Sequence, residues 1–360
     1  MAGAVEKLES AFAQWLGVQG AVAAGYGRGA LWLALKLLIG GKPGADVLVP
    51  DFVCAQVPEA VRRAGGAAVF FPVQRDLTVR EQDLEAAITP QTRAAVLVHY
   101  YGRVLPGMER LAGLCRRRGI VVIEDCALAL GARAGDRRAG RFGDLAIFSF
   151  TKGDWCYGGG IVATPMRDWV ERLRQLREEH CRPAARLAFC YGLLRRVDFA
   201  ANHPGRSRVA GWLGRWLEGG LSLLEPSLRG NFFDAGRFDS LLPEFAARRA
   251  LHILTHLDSI IARRRAALQD LAMTLHSRIA NSASGMGLLP FRANLDPGDT
   301  GAFALLSAAD GRAAEWVERA DAGGCTLRLS WPAYQHSPHH VESAAPWFAG
   351  HLVILESAAS

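Results

Sequence analysis

The sequence predicts an α/β fold: a mainly parallel central sheet flanked by helices, followed by a smaller C-terminal α+β domain. Three observations predict it. Short apolar runs of strand length alternate with stretches of helical spacing through the first half of the chain, the pattern of repeated βαβ units. Two of those runs, Val121 to Ile123 and Leu145 to Phe150, are uniformly apolar, as suits strands buried on both faces of a parallel sheet. Finally, 360 residues exceed one ordinary core, so a large domain and a smaller one are expected, and they are drawn here at 1–240 and 241–360.

Taken in order, Val5 to Leu16 carries Leu8, Phe12 and Leu16 at helical spacing, an apolar stripe for a partner subunit or for the smaller domain. Ala21 to Ala24 is a short apolar approach to Gly25-Tyr26-Gly27-Arg28-Gly29, and Ala30 to Leu38 is a buried helix. Val47 to Val49 is a strand that leads into Pro50 to Cys54. Val57 to Ala64 is a helix and Ala67 to Pro72 a strand. Ala94 to Val98 is a strand ending in His99-Tyr100-Tyr101-Gly102, and the amphipathic helix Met108 to Arg118 returns the chain to Val121. For His99 two readings stand side by side, a satisfied structural histidine and a group of the site. Arg167 to His180 is a helix. A long insertion at about 181–230 is rich in Arg, Trp, Leu and Gly, with Trp212, Leu213, Trp216 and Leu217 on one face. It reads either as a helical hairpin packed on a dimer or as an apolar surface for a lipid-linked substrate or membrane face. Pro243 to Ala267 is one long helix, and the remainder holds strands near Gly301 to Ser307 and Cys325 to Leu329 around a helix Arg312 to Ala320, closing with Trp347 to Glu356.

Half of the residues are hydrophobic and about a fifth are charged, a globular composition. The net charge of +7 comes without a basic run interleaved with aromatics, so nucleic acid is not expected as a partner. Seven cysteines in no metal-ligand spacing favour a reduced, cytoplasmic protein, and no signal peptide or transmembrane segment is read. His336, His339 and His340, with Pro338 among them, read as a solvated loop, so no metal is expected.

Chemistry concentrates where the two apolar runs end. The first delivers Asp125; the second delivers Ser149 and then Lys152, followed by Gly153 and a Gly158-Gly159-Gly160 hinge. In open parallel sheets the ligand crevice lies beyond the carboxyl ends of the strands, so these side chains should converge. A carboxylate, a hydroxyl and a primary amine in one crevice point to pyridoxal 5'-phosphate: the lysine bonds the aldehyde and the aspartate keeps the pyridine nitrogen protonated. Of 42 basic residues only four are lysines, and Lys152 is the only one after residue 42. Arginine cannot attack a carbonyl, whereas lysine can. At Gly27, Arg28 and Gly29, glycines ahead of a helix leave room for a phosphate on its N-terminus. The same glycines admit a dinucleotide reading, with Asp46 or Asp51 as the acid, but it leaves Asp125 and Lys152 unexplained.

The set Glu124-Asp125-Cys126-Ala127, Gly140 to Asp144, Phe148-Ser149-Phe150, Lys152 and Gly158 to Gly160 resembles, in order and spacing, the core of the DegT/DnrJ sugar aminotransferases. The resemblance extends to Thr89-Pro90-Gln91-Thr92, to His99 to Gly102 and to Leu257 to Arg265. It implies the type I fold of pyridoxal phosphate enzymes and a homodimer with its sites at the interface. It further implies transfer of an amino group, usually from glutamate, to a nucleotide-linked keto-sugar. Lys152 would hold the cofactor and then act as general base and acid; relatives that dehydrate sugars carry histidine there. The chain departs from the family at Arg28, where threonine is common, and at Cys54, where an aromatic residue stacks on the pyridine ring; Phe52 is a candidate to cover that face. It also departs at Leu128, where Gln or His lies near the phenolic oxygen, and in a blurred Asn/Arg motif for which Asn231 or Arg237 stand. These departures and the insertion motivate two other readings, a fold without turnover that serves as partner or regulator, and amino transfer to a non-sugar ketone.

Overall fold

The computed structural model describes residues 2–41, 44–152, 156, 158–185, 189, 238–266, 288–290, 298–300, 303–308, 326–329 and 352–356. The Trp212 face, Asn231, Arg237, the helix expected at Arg312 and the histidines from His336 lie outside the described residues.

The elements are α1 (Ala4–Leu16), β1 (Gly20–Ala24), α2 (Gly27–Ile39), β2 (Asp46–Pro50), α3 (Gln56–Ala64), β3 (Ala67–Phe71), α4 (Glu81–Ala86), β4 (Thr92–Val98), α5 (Met108–Arg117), β5 (Val121–Asp125), the short hairpin β6 (Arg133–Ala134) and β7 (Arg137–Arg138), β8 (Leu145–Ser149), β9 (Gly160–Thr164), α6 (Arg167–His180) and α7 (Glu244–Thr255). A further helix, α8, covers 257–266. Strands β10 (Leu288–Pro290), β11 (Phe303–Ala308), β12 (Thr326–Leu329) and β13 (Leu352–Glu356) follow.

Seven strands form the main sheet in the order β1-β9-β8-β5-β4-β2-β3. Every described pairing is parallel except the two made by β9, which runs against β1 and β8. The fold is therefore the mainly parallel, helix-flanked sheet expected from the alternation of apolar runs. Because side chains of a strand alternate between faces, each strand feeds two cores. Leu145 and Ile147 join Val22, Ala24, Val122 and Val162 under α2, α5 and α6, whereas Ala146 and Phe148 join Ala21, Ala23, Ile161 and Ala163 under α1, α7 and α8. A strand so placed has no solvated face, which is why these runs read as continuously apolar.

The α1 stripe lies on this second face: Leu8 and Phe12 are fully buried, and Phe12 meets Phe148 at 4.9 Å between ring centroids. Glu9, buried beside them, accepts from the Ala23 amide and pairs with Arg177 of α6. The expected single helix from Pro243 is instead two, α7 and α8. They are separated at His256, whose amide turns back toward the carbonyls of 252–254 and whose ring nitrogen lies 2.9 Å from the His252 carbonyl. The second sheet, ordered β10-β11-β13-β12, is antiparallel in all its pairings. It includes the strands expected near Gly301 and Cys325, and adds β13 in the closing segment, for which no strand was expected. Gly298 to Thr300 docks against the large sheet's loops: Thr300 N donates to Gly102 O at 2.9 Å, Arg133 N to Gly298 O at 2.9 Å, and Arg103 pairs with Asp299 at 3.1 Å.

Candidate active site

Since β1, β2, β4, β5 and β8 all run parallel, their carboxyl ends share one edge of the sheet. That edge collects the residues after β1 (Gly25 to Gly29), β2 (Asp51 to Gln56), β4 (His99 to Gly102), β5 (Asp125) and β8 (Ser149 to Lys152). Lys152 is exposed in this crevice. Asp125, half-buried at the end of β5, is close enough for the Lys152 ammonium to favour its ionised form. Burial is nonetheless the larger influence and raises the Asp125 pKa, against the pull first of the Ala127 amide on Oδ1 at 2.9 Å, then of His99 and last of Lys152. A buried carboxylate in that condition gains from a cationic N–H placed against it.

Ser149 is buried, with Oγ 3.0 Å from Thr151 Oγ1. A Cβ on Gly27 would stand 3.1 Å from the Ser149 Cβ, so the first turn of α2 and the end of β8 are in direct apposition. The Gly158 to Gly160 run is not a free hinge. Gly159, at φ +118, donates to Gly25 O and accepts from Phe150 N, and a Cβ on Gly160 would come within 2.1 Å of Tyr26 O. Glycine is required there because the backbone of β9 touches the backbone of the turn that opens α2. Gly29 has a similar use: its amide donates to Tyr26 O, and a Cβ would meet Phe238 O at 2.6 Å. Arg28, half-buried, donates from Nη1 to Gln56 Oε1 at 3.2 Å and stacks over Tyr26 with Cζ 5.5 Å from the ring centroid.

Cys54 is half-buried, the remaining described cysteines being buried. Phe52 does not cover a ring face in the crevice. It has no exposed surface, stacks on Tyr100 at 5.8 Å and accepts the Tyr100 hydroxyl at its carbonyl. Tyr101, at φ +49, lies near the thiol instead; burial pushes its phenol up, and Cys54 adds to the effect. Leu128 is half-buried and packs on the core below α2 and α5.

His99 resolves to its structural reading. Its Nδ1 accepts from Leu105 N at 2.9 Å, which leaves the ring proton on Nε2, aimed at Glu124 Oε2 at 2.8 Å. His99, Glu124 and Cys126 have ligand atoms within 4.8 Å of one another. With both imidazole nitrogens engaged and the Cys126 thiol pushed well up by burial, the trio reads as a hydrogen-bonded unit and not as a metal centre. Glu124 is the residue whose weight the sequence concealed. Its signals were an acid inside a strand buried on both sides and its place at the head of the Glu124 to Ala127 motif. It accepts from Gly140 N, Phe142 N and Gly143 N in addition to His99.

Residues 2–192 match the sequence profile of the DegT/DnrJ/EryC1/StrS aminotransferase family. The chain is 35% identical over 270 residues to a UDP-N-acetyl-3-dehydro-alpha-D-glucosamine 3-aminotransferase of Acidithiobacillus ferrooxidans, a match covering 70% of this chain and 72% of that protein. It is 33% identical over 231 residues to a GDP-perosamine synthase of Caulobacter vibrioides, covering 58% and 60% of the two chains. Among solved structures, DesV of S. venezuelae is similar with a TM-score of 0.69 and 26% identity, covering 99% of this chain and 84% of that one.

Proposed function

The chain belongs to the DegT/DnrJ/EryC1/StrS aminotransferase family, and from that premise we propose that it moves an amino group from an amino acid, glutamate in the first instance, to a keto-sugar carried on a nucleotide. The reading rests above all on one observation: exposed Lys152 follows β8 and Asp125 ends β5, and these two strands are parallel neighbours whose carboxyl ends share one edge of the sheet. The donor set fits pyridoxal phosphate. Bound, that cofactor supplies an electron sink for breaking bonds at the amine-bearing carbon. Lys152 Nζ would hold its aldehyde carbon and, once displaced, move the proton at the substrate carbon. Asp125 would receive the pyridine N–H and keep the proton there. Gly27, Arg28 and Ser149 would enclose the phosphate, with Gly29 letting the 238 carbonyl close on the turn. Cys54 and Leu128 would border the ring. The remainder of the proposal is a homodimer with a large domain at 1–240 and a smaller one at 241–360. No helix among the described residues is long and apolar enough to cross a membrane.

The test is borohydride reduction of the protein with pyridoxal phosphate followed by peptide mapping. The label is expected on Lys152 and absent from Lys152→Ala; a label on Lys7 or Lys36 refutes the assignment. Glutamate alone should then change the visible spectrum, and a nucleotide-linked keto-sugar should restore it. A spectrum indifferent to amino donors refutes turnover.

A further inference from the structure

We propose that Asp299 is a positioning residue of the crevice: at the centre of a three-residue strap it holds the turn after β4 in a left-handed conformation, which keeps the Tyr101 ring as a wall beside Cys54. The inference rests on the crevice being the site proposed above, since that wall borders the place of the cofactor's ring. The turn is the first observation. Arg103 N donates to Tyr100 O at 3.1 Å, and the two residues between them, Tyr101 at φ +49 and Gly102 at φ +86, both have positive φ. Glycine adopts that conformation readily, whereas a tyrosine there is an outlier that persists only where surrounding contacts impose it. The side chain so placed is buried, its ring centroid is 6.3 Å from that of Tyr100, and it lies near the thiol of Cys54 on the loop after β2.

The strap, Gly298 to Thr300, supplies the imposing contacts. Thr300 N donates to Gly102 O at 2.9 Å, and a Cβ on Gly102 would collide with Thr300 Oγ1. Beside this, Arg103 Nε lies 3.2 Å from Asp299 Oδ1 and 3.1 Å from Oδ2, and Asp299 is buried. Two further elements fix the strap: Asp299 O accepts from Arg265 Nη1 of α8 at 2.6 Å, and Gly298 O accepts from Arg133 N of β6 at 2.9 Å. The Arg103–Asp299 pair thus ties the last residue of the strained turn to a segment anchored elsewhere. A charge-assisted bond largely removed from water is screened little, so it can hold a conformation that the turn would not keep by itself.

The experiment follows iodoacetamide labelling of each cysteine by peptide mapping in the cofactor-free parent, Asp299→Asn, Arg103→Met and Tyr101→Gly proteins, and in the double variant Tyr101→Gly with Asp299→Asn. Asp299→Asn keeps the shape of the side chain and Arg103→Met keeps an apolar stem, so both preserve the packing around the pair. Expected is labelling of Cys54 faster by roughly tenfold in Asp299→Asn and Arg103→Met, as loss of one charge-assisted bond would give. The buried Cys115, Cys126 and Cys181 should keep their parental rates. Tyr101→Gly should label Cys54 at least as fast, and adding Asp299→Asn to it should change nothing further, because the strap reaches the thiol through Tyr101. An unchanged Cys54 rate, an equal acceleration at all four cysteines or a further acceleration in the double variant overturns the inference. Since no cofactor is present, such a failure leaves the Lys152 assignment untouched, and failure of the borohydride labelling would leave this result standing.

Discussion

His99 Nε2 and Glu124 Oε2 lie 2.8 Å apart with neither side chain exposed. The bond joins the loop after β4 to the strand that carries Asp125. Through the Gly140, Phe142 and Gly143 amides the same carboxylate also ties down the chain between β7 and β8. Four donors thus converge on one buried carboxylate, which holds β5 in register beneath the carboxyl edge of the sheet.

Glu124→Ala should therefore be among the most damaging substitutions outside the crevice. It strands the buried Gly140 and Phe142 amides, the part-buried Gly143 amide and an imidazole N–H, and loss of a buried charged acceptor of this kind costs about 3–5 kcal/mol. Urea unfolding of the protein without cofactor measures it. A loss under about 1 kcal/mol would show that water or a rearranged loop replaces the carboxylate.

Asp125→Asn should separate stability from function. Burial raises the Asp125 pKa above its ordinary 3.8, so the folded protein holds this proton more tightly than the unfolded chain. Stability from this group is therefore lost as pH rises from the ordinary value through the raised one, and at pH 7 the ionised side chain is a cost. The cofactor-free Asn variant is expected to melt higher than the parent at pH 7, with the difference vanishing near pH 3. The amino-transfer half-reaction should meanwhile fall by orders of magnitude, because an amide does not keep the pyridine nitrogen protonated. Equal melting at pH 7 would refute the burial argument, and an unchanged rate would make Asp125 a structural acid.

Cys54 should be the first of the described cysteines to react with iodoacetamide, since the others are buried and Cys115, Cys126 and Cys181 have thiols pushed up by burial. Pyridoxal phosphate in the crevice should protect it. Peptide mapping after brief alkylation checks both points; labelling indifferent to the cofactor would remove Cys54 from the ring's border.

Much of this molecule is determined locally. The apolar runs form strands because their residues have no polar face to present to water, and the acid, hydroxyl and amine that follow β5 and β8 reach one edge because parallel strands end on the same side. The family motifs, the departures at Arg28, Cys54 and Leu128, and the scarcity of lysine are likewise written in the order of residues. What the tertiary structure decided is where distant backbones touch. Gly158 to Gly160 read as a hinge, yet β9 enters the sheet antiparallel and its backbone meets the turn at Gly25 to Gly27, a contact between segments more than a hundred residues apart. His99 had two equal readings until Leu105 and Glu124 took both of its nitrogens. Phe52 fell to the core and Tyr101 to the side of Cys54 for the same reason, since which face a loop side chain takes depends on what packs above it. Gln56 carried no signal of its own. Only the packing of α2 beside α3 brings its amide to Arg28, because a hydrogen bond across 28 residues depends on two helices meeting, which no local pattern encodes.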